Sequence, residues 1–128
     1  MEISTSQKES RVQVTVFRIS GNFNDSEPLA SMAKKAHQEG SRYMLIDLTD
    51  VPYASSAGLR TLHEIYNMLR DPSETAETVS KGLRDGSYYS PHLKLLKPSK
   101  MVVEVLKMTG FDMFLEIHKD LDQAVASF

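Results

Sequence analysis

One stretch of six residues, Tyr43–Leu48, constrains the fold more than any other part of this chain. Five of the six are apolar and they do not alternate with polar residues, which is the pattern of a central strand covered on both faces. Helices must therefore flank the sheet that contains this strand. A chain of 128 residues can bury one core but not two independent ones, so we predict a single domain over residues 1–128.

Two strands are predicted before this central strand and two after it. Valines alternate with polar residues from Val12 to Val16 and the run continues to Ile19, which predicts a half-buried strand ending at Ser20-Gly21. A shorter strand at residues 2–6 would pair with it as a hairpin. Short strands are also predicted at residues 92–96 and 114–117.

Four amphipathic helices are predicted from apolar residues at three- and four-residue spacing. Their predicted N-terminal caps are, in chain order, Asp25 or Ser26, Ser55 or Ser56, Ser99, and Asp120. In the third helix we expect Met101 to point inward with Val102 and Leu106. The resulting order, β-β-α-β-α-β-α-(β)-α, predicts an α/β protein with a mixed β-sheet of four to five strands and helices packed on it.

A polar segment at residues 71–91 interrupts this order. Pro72, Gly82, Gly86 and Pro91 punctuate it, and Ser73 is a candidate cap for one short helix. A connection of about 20 residues is unusual in so short a domain and is normally either functional or mobile.

Composition excludes several classes of function. The formal charge is −2 and no run of Lys and Arg is longer than Lys34-Lys35, which argues against nucleic acid or an anionic membrane as a partner. Cysteine is absent, so disulfides, thiolate zinc sites and thiol catalysis are excluded. The four histidines lie far apart in sequence, and we predict neither a metal site nor a cofactor. No signal peptide or membrane-spanning stretch is visible, so we expect a cytoplasmic protein.

The segment Asp50–Arg60, between the central strand and the second helix, is the most informative one for function. It places Ser55 and Ser56 where a helix begins. A serine there can cap the helix through its hydroxyl, or it can carry a phosphate, because the exposed N–H groups and the positive end of the helix dipole favour negative charge. Local physics leaves both interpretations open. Gly58 removes side-chain bulk beside these hydroxyls, as a docking partner would require.

A third interpretation is a serine hydrolase, since Ala54–Gly58 is one residue away from the Gly-x-Ser-x-Gly nucleophile elbow. Such an elbow lies directly between a strand and a helix, whereas residues 49–54 separate Leu48 from the serines. The chain is also short for a domain of that class. We therefore predict that the protein is not an enzyme.

With this loop and this order of elements, the chain resembles the anti-sigma-factor antagonists of the STAS domain family over nearly its whole length. The most specific part is the apolar strand Tyr43–Leu48 followed by Asp50-Val51 and Tyr53–Arg60. It is similar to the family's signature of aspartate or serine, serine, a small residue, glycine and leucine. Weaker support comes from Gly21–Asn24, from Lys97-Pro98-Ser99, and from Thr109-Gly110-Phe111 with Phe114. The resemblance implies the STAS fold for the predicted mixed sheet.

The resemblance also implies a function and a set of site residues. In this family a cognate anti-sigma factor that is itself a serine kinase phosphorylates the serine matching Ser56. The unmodified antagonist binds the kinase and releases the sigma factor, and a cognate phosphatase restores the unmodified form. Ser56 is therefore the expected phosphoacceptor, with Ser55 as the alternate. The expected partner-binding residues are Asn22, Asn24, Asp25, Tyr53, Ala54, Ser55, Ala57, Gly58 and Arg60.

This chain departs from the family pattern at two places. The family often has aspartate before the phosphorylated serine, where this chain has Ser55, and it often has acidic residues at the positions of Asn22 and Asn24, with Asp25 one position late here. The alternative function is a STAS-type module that senses a small ligand or serves as a scaffold without being phosphorylated. In that case Ser55 and Ser56 act as a cap and a surface polar group.

Overall fold

The computed structural model describes residues 2–24, 27–70 and 89–128, and these ranges form a five-stranded mixed sheet with helices packed on it. The strands lie in the sheet in chain order. They are β1 (Glu2–Glu9), β2 (Gln13–Ser20), β3 (Met44–Asp50), β4 (Leu93–Leu96) and β5 (Ile117–His118). β1 runs antiparallel to β2, and each following strand is parallel to its neighbour. The predicted α/β class and mixed sheet are confirmed.

The helices of the described ranges follow the predicted order. They are α1 (Glu27–Gln38), α2 (Ser56–Leu69), α3 (Lys100–Thr109) and α4 (Leu121–Ala126), with a short 3-10 helix at Phe111–Met113. The side chains of Ser55, Ser99 and Asp120 cap α2, α3 and α4 by accepting hydrogen bonds from backbone N–H groups of the first turn. The predicted caps Asp25, Ser26 and Ser73 lie outside the described residues.

β3 is covered on both faces, as its continuous apolar run predicted. Met44, Ile46 and Leu48 face one side, where they share the large core with apolar side chains of α1, α2 and α3. Leu45 faces the other side and packs in a smaller cluster with Leu96 and α4. Of the helices in the described ranges, three therefore cover one face of the sheet and α4 covers the other.

β2 is more buried than its alternating sequence suggested. Val14, Thr15, Val16 and Phe17 are all buried, because β1 and β3 flank the strand and helices cover both faces. The hydroxyl of Thr15, the polar member, lies 2.8 Å from that of Ser41, so its burial leaves no polar group unsatisfied. The prediction of a half-buried strand was therefore wrong, since the alternation marks two faces that are both covered.

Three smaller expectations also differ from the structure. β1 extends to Glu9 because its backbone pairing with β2 continues well past the few apolar contacts of the strand. β5 begins at Ile117, later than predicted, since the N–H of Leu115 donates to the carbonyl of Phe111 (3.0 Å) and keeps the chain in a tight turn up to that point. The side chain of Met101 is 55% exposed and does not point inward.

Most of the polar segment predicted at residues 71–91 lies outside the described residues, which resume at Tyr89. The N–H of Ser90 donates to the carbonyl of Phe114 at 2.8 Å, and this bond ties the chain to the region before β5 just ahead of β4.

Candidate functional site

The segment Asp50–Arg60, which we call the serine segment, lies at the edge of the sheet where β2 and β3 both end. The N–H of Gly21, just after β2, donates to the carbonyl of Asp50, the last residue of β3 (3.0 Å). The two backbone segments that follow β2 and β3 stay hydrogen-bonded beyond this point. The N–H of Phe23 donates to the carbonyl of Tyr53 (2.8 Å), and the N–H of Ser55 donates to the carbonyl of Phe23 (2.9 Å). These bonds bring together the two segments in which the sequence placed candidate partner-binding residues.

Phe23 anchors the first of these segments. Its ring is fully buried in the large core, and its neighbours Asn22 and Asn24 are exposed. This arrangement follows from extended backbone, in which successive side chains point to opposite sides. The two asparagines are therefore presented to solvent beside the serine segment. Asp25, the third candidate of this segment, lies outside the described residues.

Ser55 is the N-cap of α2. Its backbone is extended, with φ −87° and ψ 174°, and its hydroxyl oxygen accepts a hydrogen bond from the N–H of Gly58 at 3.4 Å. The same hydroxyl lies 3.4 Å from the carbonyl oxygen of Phe23, to which it donates. The half-buried Ser55 hydroxyl is thus engaged in the fold on both its donor and its acceptor side.

Ser56 is the first residue of α2, and its side chain is exposed. Within the described ranges its hydroxyl makes no hydrogen bond. The first turn of α2 contains no acidic residue, so no carboxylate offsets the positive end of the helix dipole there. A negatively charged group on the Ser56 hydroxyl would consequently be electrostatically favourable to the helix.

Two of the predicted partner-binding residues are buried. Ala54 is 4% exposed and belongs to the large core. Gly58 is also buried, and a Cβ atom at that position would lie 2.9 Å from the Phe23 ring and still closer to the Phe23 carbonyl oxygen. Glycine at this position is therefore required by the packing of α2 on Phe23. Ala54 and Gly58 therefore shape the loop in this conformation, and their contact with a partner stays a prediction.

The remaining candidates form an exposed surface around Ser56. Tyr53 is 44% exposed, Arg60 is exposed, and Ala57 is half-buried. Arg60 follows Ser56 by four residues, so both lie on the same face of α2. We call the set Asn22, Asn24, Tyr53, Ser56 and Arg60 the serine surface.

Sequence reasoning missed an ion pair at the base of this site. Arg18 of β2 contacts one carboxylate oxygen of Asp50 through two donors, Nη2 at 2.6 Å and Nε at 3.1 Å. This hydrogen bond and the charge of Asp50, with a smaller contribution from Asp47, raise the pKa of Arg18 above its usual value. The pair joins the ends of β2 and β3. No local pattern marks it, because its partners are 32 residues apart.

Metal and membrane sites were also sought in the described ranges. No group of three or more histidine, aspartate or glutamate side chains there lies close enough together to hold a metal ion. Among the helices of those ranges, none is long and apolar enough to cross a bilayer.

Solved structures of other proteins share this fold. An anti-sigma factor antagonist from Mycobacterium paratuberculosis matches with a TM-score of 0.68 and 18% identity, covering 98% of this chain and 93% of that one. A STAS domain protein from Planctomyces limnophilus matches with a TM-score of 0.64 and 20% identity, covering 98% and 97%. The Bacillus cell fate determinant SpoIIAA in its phosphorylated form matches with a TM-score of 0.61 and 14% identity, covering 95% and 96%.

Sequence comparison is informative at the level of the family. No curated protein is similar enough in sequence to match this chain. The STAS domain family model matches residues 5–73, which is more than half of the chain and includes every residue of the serine surface. This match and the shared fold show that the chain belongs to the STAS domain family.

Proposed function

We propose that this protein is an anti-sigma-factor antagonist of the bacterial cytoplasm. In this proposal the unmodified protein binds a cognate anti-sigma serine kinase through the serine surface, and phosphorylation of Ser56 ends the binding until a cognate phosphatase removes the phosphate. One observation carries the proposal. Of two adjacent serines, Ser55 uses its hydroxyl to cap α2, while Ser56 exposes its own hydroxyl beside the other members of the serine surface.

The descriptions of similar structures support this function. The Mycobacterium protein is described as an anti-sigma factor antagonist, and SpoIIAA has been solved in an unphosphorylated and in a phosphorylated form. This chain has the same fold, and its serine segment lies at the start of the helix that follows the central strand.

The physics of a phosphate on Ser56 agrees with an off switch. A phosphoserine carries a charge of about −1.5 to −2, and in a docking surface it adds repulsion and a desolvation cost. A modest change in the free energy of binding is enough for such a switch. A loss of about 3 kcal/mol weakens binding more than a hundredfold.

The composition of the serine surface suggests how its contacts differ from those of relatives. Asn22 and Asn24 stand at positions where the family often has acidic residues, and Arg60 is the charged member of this surface. We expect these asparagines to contact the kinase through neutral hydrogen bonds. Neutral hydrogen bonds are weaker than charge-assisted ones but are less sensitive to salt.

The geometry of the loop also argues against a serine hydrolase. β3 ends at Asp50, and residues 51–55 separate it from the first residue of α2. Neither serine therefore lies on the sharp strand-to-helix turn that exposes the nucleophile of serine hydrolases. A hydrolase would turn over a simple activated ester and would lose that activity in Ser56→Ala.

The decisive experiment is incubation with a candidate cognate anti-sigma serine kinase in the presence of ATP, followed by intact-mass and peptide analysis. We expect one added phosphate, which Ser56→Ala abolishes and the matched control Ser55→Ala retains. Modification that maps outside residues 53–60 would contradict the assignment of the site. No mass change with saturating kinase would support the scaffold or ligand-sensing alternative, provided that Ser56→Ala still binds the partner.

A further inference from the structure

A second site lies toward the other end of α2. A cavity of about 390 Å³ opens between the C-terminal half of this helix and the segment that joins α3 to β5. Its lining residues are His63, Tyr66, Asn67, Arg70, Thr109, Phe111 and Phe114. The volume lies within the range of small-molecule sites. At 1.5 Å per residue the α2 residues of the cavity are about 10 to 20 Å along the helix from Ser56, so this site is separate from the serine surface.

Four rings form a closed cycle around the cavity. The ring centroids of His63 and Tyr66 are 6.3 Å apart, those of Tyr66 and Phe114 5.0 Å, those of Phe114 and Phe111 5.4 Å, and those of Phe111 and His63 6.3 Å. Phe111 and Phe114 are only half-buried, so part of this aromatic surface still faces solvent. A flat apolar ligand would stack on these rings and remove that surface from water.

The polar groups of the cavity include one cation, Arg70, and one imidazole, His63. The amide nitrogen of Asn67 lies 3.3 Å from Nδ1 of His63 and donates to it, which leaves the proton of the neutral imidazole on Nε2. The guanidinium of Arg70 is exposed at the end of α2 and makes no hydrogen bond or ion pair with the described residues. No carboxylate is among the lining residues that the structure describes. The charge of Arg70 therefore favours an anion at this site.

From this combination of rings and donors we infer that the cavity binds a small planar aromatic ligand that carries a carboxylate or a phosphate. The rings hold the flat apolar part, and the fork of Arg70 binds the anionic group. Aromatic rings alone also suit organic cations, but the permanent charge of Arg70 repels them and no carboxylate among the described lining residues offsets it. This binding activity goes beyond the proposed function.

The test is an NMR titration of the full chain with naphthoate and with naphthyl phosphate, which carry the two anionic groups on the same ring system. At least one of them should shift the backbone amides of residues 63–70 and 109–114 in a saturable way at millimolar concentration or below. Octanoate, an anion without a ring, and naphthylmethylammonium, a ring with a positive charge, should each bind at least about fivefold more weakly.

Two variants test the assignment of the residues. Arg70→Gln should weaken binding of the aromatic anion by roughly fivefold or more, while the matched control Lys107→Gln, which removes an exposed cation of α3 outside the lining, should change it by less than about twofold. Phe111→Leu should also weaken binding. The amide spectrum of this variant should remain that of a folded protein.

Three results would overturn the inference: no saturable shift with either anion, octanoate or the ammonium probe binding as tightly as the anions, or equal effects of Arg70→Gln and Lys107→Gln. None of these measurements involves phosphorylation of Ser56. The site and the proposed function can therefore fail independently.

Discussion

Gly58 shows how one absent methyl group positions the serine surface. α2 approaches Phe23 so closely that a Cβ at this position would meet the carbonyl oxygen and the ring of Phe23. The same carbonyl oxygen accepts hydrogen bonds from the N–H and the hydroxyl of Ser55. Displacement of Phe23 would therefore also disturb the cap of α2.

We predict that Gly58→Ala destabilises the protein by about 1 to 3 kcal/mol, because the added methyl group pushes against backbone that cannot rotate away. The sign of this change in stability is diagnostic, since Gly→Ala inside an ordinary helix stabilises a protein by roughly 0.4 to 1 kcal/mol. Urea unfolding measures the change, and Arg60→Ala, an exposed change on the same helix, should stay within about 0.5 kcal/mol of the parent. A more stable Gly58→Ala protein would show that the close contact with Phe23 does not constrain α2.

The two serines also show what a sequence can and cannot indicate about a site. Both could be placed at the start of a helix, because serine is a preferred cap and an amphipathic pattern follows. The assignment of the cap to Ser55 depends on the hydrogen bonds between its segment and Phe23, which is 32 residues away. The local sequence contains no sign of such a contact. The close approach of Gly58 to Phe23 has no local sequence signal for the same reason.

Among the elements, α4 is the shortest α-helix described, and buried polar contacts hold it on the sheet. The side chain of Lys94 in β4 is 4% exposed; its Nζ pairs with Glu116 at 2.8 Å and donates to the carbonyl and hydroxyl oxygens of Ser127, both at 3.0 Å. The same Nζ lies 4.9 Å from the centre of the Phe128 ring. His118 of β5 borders this group, with Nε2 3.4 Å from the Ser127 hydroxyl.

We expect this environment to make the stability of the protein dependent on pH. Burial lowers the pKa of His118 from 6.5, Glu116 opposes this shift, and Lys94 adds to it. Above the unfolded pKa the imidazole is neutral in both states and the stability is complete. As the pH falls through that value, the unfolded state binds the proton first and the free energy of unfolding decreases, until the lowered pKa of the folded state is passed.

We therefore predict a lower free energy of unfolding at about pH 5.5 than at about pH 7.5, with a smaller difference in His118→Gln. Urea unfolding at both pH values measures it. Burial, and secondarily Arg42, also lower the pKa of His37, so His37→Gln is the matched variant and should remove a separate part of the dependence. An unchanged pH dependence in His118→Gln would mean that the imidazole titrates alike in both states.

The elements themselves were predictable where their signal is local. Helix caps and apolar spacing identified α2, α3 and α4, and the uninterrupted run identified β3. The errors lie where tertiary contacts decide. Thr15 is buried although it is polar, and Gln7 and Ser41 satisfy its hydroxyl. Met101 is exposed although its helical neighbour Val102 is buried. β5 is set by backbone pairing with β4, which no pattern of side chains in so short a strand can specify.

For the whole molecule, the small net charge gives a single phosphate a large effect. The formal charge is −2, and a phosphoserine adds nearly the same amount. Phosphate on Ser56 would lie at the N-terminus of α2, where the first turn contains no acidic residue. Phosphorylation of Ser56 should therefore have two opposite effects. It should raise the stability of α2, and it should lower the affinity of the proposed docking surface for the kinase.

Ser56→Asp separates these two responses. A carboxylate at the first residue of α2 should raise the free energy of unfolding by about 0.3 to 1 kcal/mol at low ionic strength, and added salt should reduce this gain. If the proposed function is right, the same variant should bind the kinase at least about tenfold more weakly, because its charge would lie in the proposed docking surface. Ser56→Asn, which has a similar shape without the charge, should show neither effect. If Ser56→Asp lowered the stability, damage to α2 would account for the lost binding, and the off switch would not be electrostatic.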